Sequence, residues 1–405
     1  MVGMATYEKI KGLISLASNS PWAPTGYGMQ ANHLVDHFVR HGIRTAVLSN
    51  YGQEGHISEY RTKHGNAMHY PKGLTPYSED VFTLYHNEHR KLAPELPHAL
   101  MTLYDVWVYK KWKDTIPVIS WVPLDHITLP PDVAEWLKRE NVTPVAMAPH
   151  GQRQMAAAGI DSVYIPHAID TNIFKKTPKV TLPDGSKMAT REMLEIDEDT
   201  FLVTMVAANK ANGLVHRKAY SENLTALAMF LTEYPNTHIY LHTDPAPFTG
   251  GFDLGVMLKS LGIPADKVTI ANRDKLRIGY SQEDLAAIYT ASDVLLAPSY
   301  GEGFGVPQIE AQAAGCRVIG SSWAAAPDLV AEDGWLVEGQ PFWDQPQKAW
   351  FQIPHVPSIV KALEEAYKAE RGFSATARKF ALDFDVEKVW EESWMPFLKD
   401  YFAKA

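Results

Sequence analysis

The chain has 405 residues, 46% of them apolar, with 38 Lys+Arg against 47 Asp+Glu for a net charge of −9 with histidine neutral. That length is large for one core and points to two domains, and the composition excludes collagen, disordered and disulfide-stapled classes. The one cysteine, Cys316, makes no internal disulfide and no cysteine-based zinc site, which fits a reducing compartment.

No stretch approaches the roughly 18 to 20 apolar residues that cross a bilayer. The opening MVGMATYEKIKGLISLAS lacks a basic n-region and a small-residue cleavage site, so a soluble, cytoplasmic protein is expected. Short β-branched runs then alternate with helical patterns, the rhythm of parallel α/β layers. In the first half, strands are predicted at Leu13–Ala17, Thr45–Leu48, Val81–Tyr85, Pro117–Val122, Thr143–Ala148 and Val163–Ile165. A helix at Met29–His41 lies between the first two and stops at Gly42. In the second half, strands are predicted at Leu202–Ala207, His238–His242, Lys267–Ile270, Val294–Ala297 and Arg317–Gly320. Helices fall between them at about Ser221–Tyr234, Gly251–Leu261, Ser281–Ala291 and Pro307–Ala314. The join is expected near Thr177–Asp184, where Pro178, Pro183 and Gly185 interrupt the pattern. Beyond residue 357 the pattern is helical, ending in Val386–Ala405 with Val389, Trp390, Trp394, Phe397, Leu398 and Phe402 near one stripe that has to be buried somewhere.

After the first strand, Gly26-Tyr-Gly28-Met-Gln-Ala31 opens a helix as a G-x-G-x-x-A string, a pattern that lets backbone amides approach a phosphate. A dinucleotide site also needs an acid at the end of the second strand, but that strand ends Leu48-Ser49-Asn50. A ligand-facing loop is the better reading. The stretch Ala297-Pro-Ser-Tyr-Gly-Glu302-Gly-Phe-Gly305-Val-Pro307-Gln-Ile-Glu310 is more informative. It follows an apolar strand and opens a helix at a proline. Such a tip presents the amides of residues 303–308 above the strand's carboxyl end, the usual ligand crevice of an open α/β sheet. Carboxylates beside an anion-binding tip make sense when the ligand also offers hydroxyls.

Glu302 and Glu310, enclosing Gly-Phe-Gly-Val-Pro, resemble the Glu-x7-Glu signature of retaining, nucleotide-sugar-dependent glycosyltransferases of the GT-B fold, the family-four-like group (glycosyl transferases group 1). Tyr280-Ser-Gln-Glu-Asp-Leu-Ala-Ala-Ile-Tyr-Thr-Ala-Ser-Asp293 is similar to that family's helix before the motif strand. Tyr164-Ile-Pro-His167-Ala-Ile-Asp170-Thr-Asn-Ile-Phe174 is similar to its interdomain segment. The likeness runs from about Ser18 to Leu336.

The resemblance implies an α/β fold of two Rossmann-like doubly wound domains facing a cleft, with a C-terminal helix crossing back to the first domain. Residues 1–178 with 386–405 would bind the acceptor, and 179–385 the donor. It further implies that Glu302 touches hydroxyls of the transferred sugar, that Glu310 holds the nucleotide ribose, and that amides of Gly303, Phe304, Gly305 and Val306 hold the sugar and diphosphate. Gly28 is expected to face the donor as well. Arg217 and Lys218 are the best match to the family's diphosphate-binding basic pair, with Lys210 competing. Asn209 stands where many members carry an arginine, and extra residues precede Arg217. Two cations suit a departing diphosphate because negative charge develops on its oxygens.

At the end of the strand Pro117–Val122, Asp125 aligns with a polar contact of the family, and His126 competes with it. Either would orient or deprotonate the acceptor hydroxyl. His150 and Gln152 are further acceptor candidates. No metal site is expected: Asp197-Glu-Asp199 and Asp383-Phe-Asp385 read as turns or helix starts, and His33, His37 and His41, with nothing acidic beside them, read as a partly exposed helix face. The resemblance implies a nucleotide-diphosphate sugar as donor, a UDP- or GDP-sugar among the candidates with base and sugar left open, and no further cofactor. Retention follows from the family, and front-face attack, in which the leaving diphosphate helps take the proton, is favoured over a covalent intermediate.

The acceptor stays open among a glycan, a lipid-linked sugar, a protein, a small molecule and a modified nucleobase in DNA. Residues 1–180 hold 18 Lys/Arg against 16 Asp/Glu and 12 of the 16 histidines, whereas 181–405 hold 20 against 31. The first half tolerates an anionic partner better, yet falls short of a nucleic-acid footprint. No basic amphipathic helix argues for membrane docking. The other readings are a non-catalytic nucleotide-sugar-binding protein and an epimerase or phosphorylase on the same fold.

Overall fold

The computed structural model describes residues 7–109, 111–182, 184–211, 215–247 and 250–404. Pro183 and the Gly213 part of the basic loop therefore lie outside the described residues. The chain divides into two compact units: Met1–Leu124 with Thr128–Ala168 and Val386–Ala405, and Asp125–Ile127 with Ile169–Asp385.

The first unit is built on strands β1 (Leu13–Ser18), β2 (Arg44–Ser49), β3 (Ser58–Thr62), β4 (Gly65–Tyr70), β5 (His98–Leu103), β6 (Val118–Val122), β7 (Val142–Ala146) and β8 (Val163–Tyr164). They form one sheet in the order β3-β4-β2-β1-β5-β6-β7-β8, parallel except for the edge pair β3–β4. β1 and β6 are buried along their whole length, as strands covered on both faces must be. The helix Gly26–Arg40 starts three residues before its expected beginning because the Thr25 side chain caps it, accepting from the Gly28 amide. Its Ala31, Leu34, Val35 and Phe38 are buried.

Two expectations fail here. Val81–Tyr85 is no strand: Phe82–Arg90 is a helix, and Phe82, His86 and His89 recur at helical spacing on its buried face. The strand of that region is β5. The face carrying His37 and His41 is not exposed either. Both rings pack on Trp390 at 4.8 Å between centroids, and both residues are buried. An acid does stand beside them: Glu387 lies 3.5 Å from His37 Nε2 and takes a two-pronged bond from Arg40 at 3.0 and 2.6 Å. The His37 and Arg40 contacts hold its carboxyl down at about 2.

The apolar stripe of the tail supplies this cover. Residues 386–404 run as helix, a wide π turn at Trp390–Trp394, then helix again. Trp394 meets Trp121 edge-on at 4.9 Å. A side chain at Gly12 would collide with the Phe402 ring.

In the second unit, β9 (Lys179–Thr181) and β10 (Lys187–Ala189) form a small hairpin. The main sheet comprises β11 (Phe201–Val206), β12 (Thr237–His242), β13 (Val268–Ile270), β14 (Val294–Leu296), β15 (Arg317–Ser321) and β16 (Trp335–Val337). All are parallel, in the order β13-β12-β11-β14-β15-β16, with a switch point between β11 and β14 where ligands bind in such sheets. A second hairpin, β17 (Gly339–Asp344) with β18 (Ala349–Pro354), follows.

The chain joins this unit at Ile169, ten residues before the expected junction. Ile169 bridges Asp385, and Arg378 donates to the carbonyls of Thr171 and Phe174. These bonds fix 169–178 to the second unit. Asp199 and Asp385, from the two Asp-x-Asp strings, tie Asn236 and Thr171 respectively.

Candidate functional site

The loops that leave β11 and β14 at the switch point carry the candidate residues. After β14, Tyr300 through Gly305 lead into the helix Val306–Ala313. Gly305 precedes it at φ +92°, a left-handed conformation that suits glycine, and no side chain caps this end. Not every expected amide is available: Pro307 has no N–H, and Gln308 N donates to Gly305 O at 3.0 Å. After β11, the loop reaches Arg217 and Lys218 and enters the helix Tyr220–Glu233 through Ala219, whose φ of +49° is strained for a residue with a Cβ. Asn223 of that helix donates to the carbonyls of Lys218 and Pro298, stitching the two loops together.

The structure brings Asp125, Arg217, Lys218 and Glu302 into one ionic cluster. Lys218 Nζ lies 2.5 Å from Glu302 Oε1, and Arg217 Nη1 lies 3.1 Å from Glu302 Oε2 and 3.2 Å from Asp125 Oδ2. Arg217 also donates to Gly301 O, and Tyr300 N donates to Arg217 O at 2.8 Å. Burial alone would push the Glu302 carboxyl up. The charges of Lys218 and Arg217, with hydrogen bonds from Lys218 and Ser299, bring it down to about 2 instead. Lys218 shows the other half of the balance, since burial pulls its ammonium below the usual lysine range despite Glu302. Lys218, Ser299, Glu302, Gly305 and Gln308 line a shallow concavity above the strand ends.

Glu310 is placed differently. Its carboxyl is buried, accepts from Tyr289 Oη at 3.0 Å and is raised by burial to about 7. It does not line that concavity. Phe304 is buried and meets Phe384 edge-on, so its side chain anchors the loop.

His126, next to Asp125, points to the second hairpin. Its ring stacks on Phe351 at 3.8 Å, and Nε2 lies 3.0 Å from Asp344 Oδ2. Sequence reasoning missed Asp344, Tyr289 and Ser299. The alternation of Phe342-Trp-Asp344 and Ala349-Trp-Phe351 about a Pro-containing turn was the available signal for the hairpin.

Asn209 is a clamp: its amide nitrogen donates to Asp244 O and Phe252 O, and its amide oxygen accepts from Phe252 N. Lys210 is exposed. In the first unit, the Gly28 amide is taken by Thr25, and a Cβ there would sit 2.3 Å from Ala23 O, so close packing accounts for that glycine. His150 is buried, and Gln152 donates to Ser162 O within its own unit.

Two Rossmann-like sheets, with acid and cation pair gathered at the switch point of the second, describe the GT-B class of glycosyltransferase fold. The comparisons agree. Residues 265–345 match the family Glycosyl transferases group 1. A D-inositol 3-phosphate glycosyltransferase from Streptomyces avermitilis is 33% identical over 161 residues, covering 39% of this chain and 33% of that protein, so the match spans about a third of the relative's length. Among solved structures, sucrose-phosphate synthase from Thermosynechococcus elongatus superposes with a TM-score of 0.70 at 14% identity, over 98% of this chain and all of that one. The trehalose-6-phosphate structure from E. coli bound with UDP-2-fluoro glucose gives 0.65 at 11% identity, over 96% and 99%. Over residues 265–345 the chain is thus similar to the group 1 glycosyltransferases, and its fold is that of the GT-B structures. Among the described residues no helix is long and apolar enough to cross a membrane, and no group of three or more His, Cys, Asp or Glu is arranged to hold a metal.

Proposed function

We propose that the protein transfers a sugar from a nucleotide-diphosphate sugar to an acceptor hydroxyl with retention of configuration, the second unit binding the donor and the first the acceptor, in the cytoplasm. The observation that carries this reading is the buried Glu302 held between Lys218 and Arg217 at the head of an uncapped helix. Such a cluster is matched to one ligand type. The diphosphate takes the two cations and the helix tip, and the freed carboxylate accepts hydrogen bonds from sugar hydroxyls.

In this reading Arg217 and Lys218 neutralise the charge that grows on the leaving diphosphate. The amides of Gly303 to Val306 approach the sugar and phosphates, and Glu310 turns toward the ribose. Asp125, tied to Arg217, orients or deprotonates the acceptor hydroxyl, with His126 beside it. With Glu302 committed to the sugar hydroxyls and no second carboxylate assigned to the anomeric carbon, front-face attack is favoured over a covalent intermediate. The paired side-chain cations provide the positive charge for which other glycosyltransferases use a divalent ion, so a metal-independent reaction is proposed.

The test is a thermal-shift panel of UDP-, GDP- and ADP-sugars, followed by donor hydrolysis and transfer assays with and without EDTA. One donor raising the melting temperature and being turned over in EDTA supports the proposal. Failure of every donor to stabilise the folded state refutes it.

A further inference from the structure

Asp125 to Ile127, which follow β6 in the chain, belong to the second unit, and the side chains of the first two reach different partners. Asp125 Oδ2 lies 3.2 Å from Arg217 Nη1, in the ionic cluster. His126 Nε2 lies 3.0 Å from Asp344 Oδ2 on β17, and its ring stacks on Phe351 of β18 at 3.8 Å and 28°. His126 and Asp344 are both buried, at 7% and 6% exposure. An ionised carboxylate only accepts, so Nε2 carries the proton and the imidazole is held in one tautomer and one orientation.

The backbone is anchored on the same hairpin. Ile127 exchanges both hydrogen bonds with Trp350, at 3.0 and 2.6 Å, so the tripeptide pairs antiparallel with β18. Further along β18, Gln352 N donates to Tyr300 O at 2.9 Å. A Cβ on Gly301 would lie 2.0 Å from Asp125 O and 3.0 Å from the Phe351 ring, so the Glu302 loop, Asp125 and Phe351 meet there with no room for a side chain. The hairpin therefore sets where Asp125 stands relative to Glu302 and Arg217. Apolar side chains could close the space between His126 and β17, and a buried ion pair is often no more stabilising than well-packed apolar groups. What the polar pair adds is direction, since its hydrogen bond fixes the orientation of the residue next to Asp125.

We propose that Asp344 is a positioning residue for the transfer reaction: acting through His126, it holds the Asp125 carboxylate at the place from which it meets the acceptor hydroxyl. His126 is then the latch and Asp125 the group that touches the acceptor, which separates two neighbours that the sequence leaves in competition. The contacts of Glu302 with Lys218 and Arg217 do not run through Asp344. Loss of the latch is therefore expected in turnover and not in donor binding. The inference rests on the transfer reading above and gives Asp344 a part in it.

The experiment compares wild type with Asp344→Ala, Asp344→Asn, His126→Ala and Asp125→Asn, and combines each alanine change with Asp125→Asn. Hydrolysis of UDP-glucose, GDP-mannose and ADP-glucose is followed in single turnover, water standing in for the acceptor. Donor-induced melting shifts and amide exchange of residues 125–127 are read on the same samples. In Asp344→Ala the rate at saturating donor should fall ~10- to 100-fold, the reach of a small misplacement, with half-saturation by donor changed less than ~3-fold. Asp344→Asn, which keeps an oxygen for the Nε2 proton, should restore both the rate and the slow exchange of the Ile127 amide. In the Asp125→Asn background neither alanine change should cost more, because the carboxylate they position is gone. A full further loss there, equal rates in wild type and Asp344→Ala, or a His126→Ala loss that Asp344→Ala does not share overturns the positioning role. Should Asp344→Ala not fold, Asp344→Leu fills the space without an acceptor: a reduced rate at a wild-type melting temperature supports the role, and a wild-type rate overturns it. Failure of every donor to shift the melting of wild type refutes the transfer reading, whereas a shift with turnover indifferent to Asp344 refutes the positioning role alone.

Discussion

Replacing Glu302 with Gln keeps the side chain's shape and removes the charge that Lys218 and Arg217 face. The folded-state carboxyl sits at about 2 against an ordinary 4.5. A depressed carboxyl contributes stability that is fully present above about pH 4.5 and is lost as pH falls toward 2. At 1.36 kcal/mol per pH unit, the contribution is about 3 kcal/mol. Breaking a buried pair from one side costs about 3–5 kcal/mol, and the two cations, about a quarter exposed, recover part of that from water. A net loss of about 2–3 kcal/mol at pH 7 is expected, which in a unit of this size lowers the melting temperature by roughly 4–12 °C. The assay is urea and thermal unfolding of both proteins at pH 7, 5 and 3. The gap should narrow as the acid limb is reached, and transfer should be abolished throughout. Equal stability at pH 7 together with parallel acid limbs would show that the cluster does not hold Glu302 as described.

Glu310 titrates the other way: with its carboxyl raised to about 7, the buried acid favours the fold at low pH and loses that advantage as pH rises from about 4.5 through 7. Glu310→Gln should therefore melt higher than wild type at pH 8, be equal to it at pH 5, and lose transfer; a lower melting point at pH 8 contradicts the assignment. Gly301→Ala would set a Cβ 2.0 Å from Asp125 O, so it should abolish donor stabilisation and transfer by moving the loop, and an unaltered donor-induced melting shift would refute this. Trp390→Ala removes a nearly fully buried ring from between His37 and His41 and should cost about 3–5 kcal/mol in urea unfolding; a loss below about 1 kcal/mol would mean that the tail contributes little to the first unit.

The parallel strands were readable because they are short β-branched runs buried on both faces, as in Phe201–Val206. His98–Leu103 escaped because Ala, Leu and Met are as much at home in helices. Val81–Tyr85 misled because Val, Phe and Tyr favour strands locally, while the burial of His86 and His89 decided for a helix. The loop acid and its basic pair were marked by the resemblance to the family, the extra residues before Arg217 leaving Lys210 in competition. What spacing could not show was that Glu302 reaches both cations directly, or that Glu310 turns inward to Tyr289, since those depend on side chains brought together from distant parts of the chain. Nor could the histidine spacing on the first helix show that Trp390, more than 340 residues on, covers it.

Three residues, Asp125 to Ile127, belong to the second unit although the sequence on either side of them builds the first. A clean cut of the gene at residue 169 would thus deliver a second unit without the carboxylate that Arg217 meets and without the backbone partner of Trp350. Recombining halves from two such proteins would transplant this tripeptide with the wrong parent. Chimeras should work only when the tripeptide is matched to the downstream half, so substrate preferences in this architecture are expected to be inherited as a spliced set rather than as two exchangeable cassettes.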